Sequence, residues 1–278
     1  MPECKTIACV NQKGGVGKSV TSTNLGVGLA RHGKRVLIVD CDSQASQTIS
    51  LGWTQPDELP KTLATLLAAQ MERRPIEACE AILHHQEGVR LLPSSIELSW
   101  LEPRMVNALN REAMLRRLIE PLKQDYDFII LDCPPTLGMI TVNALAAADS
   151  LIVPVQPEFL SVVGMTQLFD TVQDIRDQIN PGLRVEGVLI TLANMRTNLA
   201  KNSVDIIREA YRGQVRIYSM PIPYSVKVKE ASSVGKSIFA YEGGGKAAAA
   251  YENLTKEVLA DARQRTVIRS ADRQTPTL

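Results

Sequence analysis

Two lysines and a hydroxyl stand close together in the glycine-rich segment NQKGGVGKS, residues 11–19. Lys18 and Ser19 end this segment in the order typical of a loop that holds phosphate groups, where the lysine meets the phosphates and the hydroxyl binds Mg²⁺. The usual first glycine of such a loop is missing, because Gln12 occupies its position. A second lysine, Lys13, stands next to it, although one lysine suffices for one phosphate site. The residues predicted to line the phosphates are Gly14, Gly15, Val16, Gly17, Lys18, Ser19 and Val20.

Three aspartates follow two of the most apolar runs in the chain. RVLIVDCDS carries Asp40 and Asp42, and DFIILDCPP carries Asp132. Ligands of an open parallel sheet bind at the carboxyl ends of its strands, so these carboxylates are expected beside the phosphate loop. Asp40 and Asp42 should point to opposite sides, one towards the metal region and the other towards a γ-phosphate. Asp132 has the form of the aspartate that lies beside Mg²⁺ in P-loop enzymes. Asp40 or Asp42 taken singly could equally be a loop carboxylate or a helix cap, but the whole set predicts a magnesium–nucleotide site.

These side chains need a scaffold that brings several strand ends together. Short, nearly continuous apolar runs alternate with longer helical patterns, as expected of parallel strands covered on both faces. The alternation predicts an α/β fold with a doubly wound, mostly parallel sheet and helices on both faces. The predicted strands are residues 6–10, 35–40, 127–132, 150–155 and 185–191. The predicted helices are residues 18–31, 104–123, 140–148, 162–179, 200–211 and 246–263.

The domain organisation follows from the same pattern. No linker rich in proline, glycine or serine divides the chain, so residues 1–263 are predicted to form one domain. Residues 54–99 are the least regular part and are expected to hold helices and a short strand at VRLLP. The polar residues 264–278 are predicted to form a flexible tail.

Composition excludes several classes of protein. The net charge of +1 gives no overall field for nucleic acid, so any such site must be a local patch. The five cysteines are odd in number and form no CxxC pair, which argues against a disulfide framework or a zinc site. The sequence opens without a signal peptide, and no apolar run approaches the roughly 18 residues that a membrane span needs. A cytoplasmic protein is therefore expected.

Three segments carry a resemblance to a known family. KGGVGKS, DCDSQ and DCPPTLG, in this order and spacing, resemble the deviant Walker A ATPases, a group of P-loop ATPases that includes MinD and ParA. Within the group the match is closest to ParA/Soj partition proteins and extends over residues 5–260, including the later stretch PIPYSVKVKEASSVGKSI. The resemblance implies an ATPase that uses ATP and Mg²⁺ and is slow without its partner.

The resemblance also implies roles for individual residues. Lys18 serves its own nucleotide, whereas Lys13 reaches the phosphates of the partner subunit in an ATP-sandwich dimer. Asp42 belongs to a mobile switch that positions the attacking water, and Ser43 replaces the proline that usually follows it, which implies a more flexible switch loop. The implied metal group is Ser19, Asp42 and Asp132 with Asp40 beneath it, and the implied adenine contacts are Asn194, Pro221 and Pro223.

The cargo is predicted from the charge of one segment. Residues 184–236 hold nine Lys and Arg against four acids, although such a run can be only a solvated helix face. The resemblance implies that Arg196, Lys227 and Lys229 contact DNA phosphates without sequence preference, in an ATP-dependent homodimer associated with the nucleoid and released by a ParB-like centromere-binding protein. The alternative is a MinD-like or cargo-positioning ATPase that acts on a protein or a membrane. No membrane anchor is expected from the tail. The sequence shows no helix-turn-helix extension before the first strand, so operator recognition is not expected.

Overall fold

A computed structural model describes residues 4–75, 77–158 and 161–272. The strands are β1 (Lys5–Cys9), β2 (Val36–Asp40), β3 (Leu83–His84), β4 (Arg90–Leu92), β5 (Phe128–Asp132), β6 (Ser150–Val155) and β7 (Arg184–Ile190). The helices are α1 (Lys18–Arg31), α2 (Ser46–Ser50), α3 (Leu63–Met71), α4 (Glu97–Met105), α5 (Met114–Ile119), α6 (Met139–Ala147), α7 (Ser161–Gln178), α8 (Asn198–Ala210), α9 (Val226–Ser233), α10 (Ile238–Glu242) and α11 (Lys246–Asp272).

The seven strands form one sheet in the order β3-β4-β2-β5-β1-β6-β7. All neighbours pair in parallel except β3 and β4, which are antiparallel. The central strands β1, β2, β5 and β6 are buried and mostly apolar, as expected where helices cover both faces of the sheet. In the register, Asp132 at the end of β5 pairs with Cys9 of β1 on one side and with Asp40 of β2 on the other. The ends of these three strands therefore meet at the middle of one edge, as predicted.

Two apolar layers enclose the sheet. One layer is built largely from α3 to α7 and includes Leu67, Leu101 and Leu145. The other is built from α1, α9, α10 and α11 and includes Leu25 and Tyr251. Alternate residues of the same strands contribute to the two layers, for example Leu37 to the first and Ile38 to the second. The predicted doubly wound α/β fold is confirmed.

Most predicted elements agree with the structure to within two residues, but the helix predicted over residues 104–123 is wrong. The chain there ends α4 at Met105, turns at Asn110 with φ 53°, and continues through two 3₁₀ turns on either side of α5. Pro121 lies in the second of these turns, and its ring and missing N–H prevent a continuous α-helix. The expected strand at VRLLP is β4, whereas β3, α2, α9 and α10 were not predicted.

The end of the last helix also differs from the prediction. α11 continues beyond residue 263 to Asp272, so part of the predicted tail is helical, and residues 273–278 lie outside the described residues. The boundary at residue 263 and the flexibility of the tail stay predictions. In the part of the chain that the structure describes, no helix is both long enough and apolar enough to cross a membrane.

Candidate functional site

The loop between β1 and α1 presents its backbone to the space above the sheet. Gly15 and Gly17 have φ values of 73° and 84°, in the left-handed region that glycine adopts at little cost. Gly17 is also the N-cap of α1, where no side chain caps the helix. The first N–H groups of α1 therefore lack a side-chain acceptor, and the positive end of the helix dipole lies at the same place. Such a terminus favours a phosphate group.

The two lysines of the loop go to different places. Lys18 is buried, and its Nζ donates to the Lys13 carbonyl oxygen at 3.2 Å. Burial lowers the pKa of Lys18, against the raising effect of Asp132 and Asp42. Lys13 extends to the surface, where its ammonium forms an ion pair with Glu158; the two side chains are 43% and 53% exposed. Lys18 is thus a cation inside its own loop, and Lys13 is a cation turned outward.

Gln12 has a structural role that sequence reasoning missed. Its Nε2 donates to the Gly164 carbonyl oxygen at 3.1 Å and to Gln167 Oε1 at 2.8 Å, both on α7. Asn11 donates to the Pro154 carbonyl oxygen at 2.7 Å. A glycine at position 12 would remove the tie to α7. The amide side chains of this segment were the only available sequence signal for these contacts.

Asp132 lies directly beneath the loop and is fully buried. Its Oδ1 accepts from Ser22 Oγ of α1 at 2.9 Å, whereas Oδ2 is buried and has no hydrogen-bond partner within the described ranges. Burial raises the pKa of Asp132 to about 6, and the hydroxyls of Ser19 and Ser22 and the charge of Lys18 oppose this rise. A buried carboxylate oxygen without a partner, close to a loop serine and lysine, fits a site that receives a hydrated cation.

Asp40 and Asp42 differ in burial and in hydrogen-bond partners, and Asp40 lies where a support beneath the metal site was expected. Asp40 Oδ2 accepts from the backbone N–H and the hydroxyl of Thr48 at 2.8 and 2.7 Å, and Oδ1 accepts from Asp42 N at 3.1 Å. Burial, reinforced by the charge of Asp132, raises the pKa of Asp40 to about 8. Both oxygens are therefore engaged by the chain, which fits a support beneath the metal site better than a direct ligand. Asp42 is partly exposed, and its Oδ1 caps the following turn by accepting from Gln44 N at 3.0 Å.

The acidic side chains do not form a metal cage of their own. Among the described residues, no cluster of three His, Cys, Asp or Glu side chains is arranged to hold a metal ion. Mg²⁺ commonly binds through one or two protein oxygens and completes its shell with water and substrate phosphates. The arrangement is therefore compatible with a cation that arrives with a phosphate ligand.

The segments predicted to contact adenine lie beside the phosphate loop. Thr191, just after β7, donates its hydroxyl to the Val16 carbonyl oxygen at 2.7 Å. Further along, Ala193 pairs with Pro223 in an isolated parallel bridge, which brings exposed Asn194 next to the Pro221–Pro223 segment. The structure thus brings these residues together on the segments beside the loop, and their contact with a base stays a prediction.

The residues predicted to contact DNA lie at the surface near this bridge. Arg196 is exposed just before α8, and α9 carries exposed Lys227 and Lys229. Lys227 pairs with Glu230 at 2.8 Å, and Lys229 Nζ lies 5.4 Å from the Tyr224 ring centroid. Three other basic residues of the segment are paired with acids, namely Arg208, Arg212 and Arg216. The positive charge available to a partner is therefore concentrated at fewer residues than the sequence count indicated.

The sequence of this chain is similar to a family model and to several known proteins. A family model described as an AAA domain matches residues 4–185. The sporulation initiation inhibitor protein Soj of Bacillus subtilis (strain 168) is 40% identical over 257 residues, covering 92% of this chain and 99% of Soj. The chromosome partitioning protein ParA of Myxococcus xanthus (strain DK1622) is 38% identical over 256 residues, covering 91% of this chain and 87% of that protein.

Solved structures share the sheet and its helices. Cobyrinic acid a,c-diamide synthase from Mycobacterium smegmatis, solved with bound ADP and magnesium, has a TM-score of 0.80 at 33% identity, over 92% of this chain and 94% of that one. The septum site-determining protein MinD from Pyrococcus horikoshii OT3, complexed with Mg-ADP, has a TM-score of 0.73 at 25% identity, over 92% and 96%. The similarity to the Soj and ParA proteins extends over more than nine-tenths of the chain. The matched range of the family model, residues 4–185, includes the phosphate loop and both aspartate segments. The chain accordingly belongs to the ParA/Soj family of partition ATPases, within the MinD/ParA type of P-loop ATPases.

Proposed function

We propose that this protein is an ATP-dependent DNA-partitioning ATPase whose ATP-bound form is a sandwich dimer. The observation that carries the proposal is the divergence of the two lysines: Lys18 is buried in its own loop, and Lys13 is exposed and paired only at the surface. A cation supplied across an interface offsets phosphate charge only when two subunits meet. ATP would then control dimerisation through the phosphates that both lysines reach.

The residues around the loop have separable tasks in this proposal. Lys18 and the N–H groups of α1 would hold the β- and γ-phosphates, and the Ser19 hydroxyl and Asp132 Oδ2 would hold Mg²⁺. The cation would supply charge neutralisation at the phosphates. Asp42, which is partly exposed beside the site, orients the attacking water, while Asp40 holds the Asp42 backbone from below. Hydrolysis is slow until a ParB-like partner acts on the dimer.

The proposed DNA surface is defined by Arg196, Lys227 and Lys229. Dimerisation places two copies of this surface on one particle, so DNA affinity depends on ATP through avidity. Contacts to phosphates carry no sequence information, so binding is non-specific and sensitive to salt. The ATP-bound protein would be associated with the nucleoid in the cytoplasm.

The experiment is fluorescence anisotropy on random duplex DNA across a salt series, in a non-hydrolysable ATP analogue and in ADP. The triple alanine variant of the DNA surface should dimerise normally but lose affinity. Each lost phosphate contact lowers the log–log salt slope by roughly 0.9, so three contacts per subunit could flatten it by up to about 5. Substitution of Lys123, a lysine outside residues 184–236 that pairs with Glu120, provides a control for the loss of a positive charge elsewhere on the protein.

Two results would count against the proposal. Unchanged affinity and slope in the triple variant would reject this DNA surface. Wild-type protein that binds no DNA with either nucleotide would favour the alternative, a MinD-like or cargo-positioning ATPase that acts on a protein or a membrane.

A further inference from the structure

The turn that follows α2 touches the turn that follows α9. A Cβ added to Gly235 would lie 2.9 Å from Gly52 Cα and 3.2 Å from Gly52 N, both backbone atoms. Gly52 and Gly235 have φ values of 102° and 66°. Both positions therefore favour glycine because of their positive φ, and at Gly235 the close approach of the Gly52 backbone also leaves no room for a side chain. This contact is called the glycine junction below.

One side of the glycine junction is linked to the phosphate site. α2 is bound to Asp40 through the backbone N–H and the hydroxyl of Thr48. Thr48 in turn accepts backbone hydrogen bonds from Leu51 and Trp53, on either side of Gly52, at 3.3 Å each. Asp40 also holds the backbone of Asp42. A displacement of the Asp40–Asp42 segment would therefore move α2 and Gly52 with it.

The other side of the glycine junction is linked to the proposed DNA surface. The Gly235 amide donates to the Ser232 carbonyl oxygen at 3.4 Å, so the turn continues directly from α9, the helix of Lys227 and Lys229. α9 is anchored by buried Val228 and Ala231, while its lysines face outward.

A third segment holds the two turns together. His85 Nε2 lies 3.0 Å from the Gly235 carbonyl oxygen, and the His85 ring lies 6.1 Å from the Trp53 ring beside Gly52. Glu87 accepts from the Ser237 backbone N–H at 2.8 Å and from its hydroxyl. The loop after β3 thus ties the end of α9 to the end of α2.

We infer that Gly235 and His85 are positioning residues that transmit the nucleotide state of the Asp42 segment to α9, and so set the DNA affinity of each subunit. The inference rests on the proposed DNA function but adds a step to it: dimerisation alone does not complete the DNA surface. A close backbone contact suits this role because neither partner has a flexible side chain that could absorb a displacement.

The first test compares Gly235→Ala with Gly33→Ala. Gly33 has a similar φ of 75°, but a Cβ there meets nothing within 4 Å, so this control carries the backbone strain without the contact. We measure dimerisation by light scattering, and DNA affinity by anisotropy as the ratio between a non-hydrolysable ATP analogue and ADP. Allosteric couplings typically correspond to ratios of about 5 to 150. Gly235→Ala should dimerise yet bring the ratio towards one, whereas Gly33→Ala should keep the wild-type ratio. Equal ratios in both variants would overturn the inference.

A second pair of variants decides the matter if Gly235→Ala does not fold. His85→Ala removes the contact to Gly235 and Trp53, whereas His84→Ala removes an exposed neighbour that contacts Arg90. His85→Ala should lower the ratio and His84→Ala should not; a wild-type ratio in His85→Ala would contradict the inference.

Hydrogen exchange separates this inference from the proposed function. The amides of α9 should change their exchange rates between the ATP analogue and ADP in wild type, and this change should be lost in His85→Ala. If wild type binds no DNA but the α9 amides still respond to nucleotide through His85, the DNA function is wrong and the coupling stands. If the α9 amides do not respond in wild type, the coupling is wrong whatever the DNA result.

Discussion

Glu158 holds Lys13 on the surface of its own subunit, so Glu158→Gln should strengthen the ATP-dependent dimer. In the proposed dimer Lys13 would have to leave Glu158 to reach the partner's phosphates, so each dimer would break two such pairs. Both side chains are about half exposed, at 43% and 53%, and exposed ion pairs contribute about 0.2–1 kcal/mol each. Two pairs therefore oppose dimerisation by about 0.4–2 kcal/mol, which corresponds to a factor of about 2 to 30 in the dimer dissociation constant.

The assay is sedimentation equilibrium in a non-hydrolysable ATP analogue at low ionic strength and again in high salt. The gain should shrink in high salt, because ions screen exposed charges. Glu120→Gln is the control, since it makes the same charge change in a pair with Lys123 at 2.8 Å, in which the Glu120 side chain is 59% exposed. A Glu158→Gln dimer that is no tighter than wild type, or a Glu120→Gln dimer that tightens equally, would refute the reasoning.

Three further outcomes are expected. Lys18→Ala should abolish ATP binding in isothermal titration, because the buried loop cation is lost; near wild-type affinity would argue against the phosphate site. Asp42→Ala should bind ATP and dimerise but release phosphate about 10² to 10⁴ times more slowly, the range typical of a positioned acid or base; wild-type release would assign the water to another residue. In the native protein a disulfide reagent at neutral pH should react rapidly with exposed Cys79 and slowly with the four buried thiols, since burial raises the pKa of Cys4 and Cys9 to about 12. Rapid reaction of the Cys79→Ser variant would contradict this burial.

The sequence predicted the strands and the loop because their signals are local. Four apolar residues ending in Asp132 can hardly be anything but a buried strand end, and glycines before Lys18 and Ser19 require a turn into a helix. The helix prediction for residues 104–123 is wrong for a local reason: Asn110 turns the chain and Pro121 interrupts the helical pattern. α9 was missed because VKVKEASS begins with two valines that alternate with two lysines, a pattern that fits a strand as readily as a helix.

Residue types and spacing by themselves determined the fold class, the phosphate loop and the identity of its cations and carboxylates. Only the tertiary structure decided where the side chains of these lysines and aspartates lie and what they contact. Lys13 and Lys18 are five residues apart, yet one is paired at the surface and the other is buried. Asp40 is engaged by Thr48, and Gly235 meets Gly52 across 183 positions of sequence. Such contacts depend on which turns the sheet order brings together. Tertiary packing determines which turns touch, and the pattern of apolar residues along the chain does not reveal these contacts.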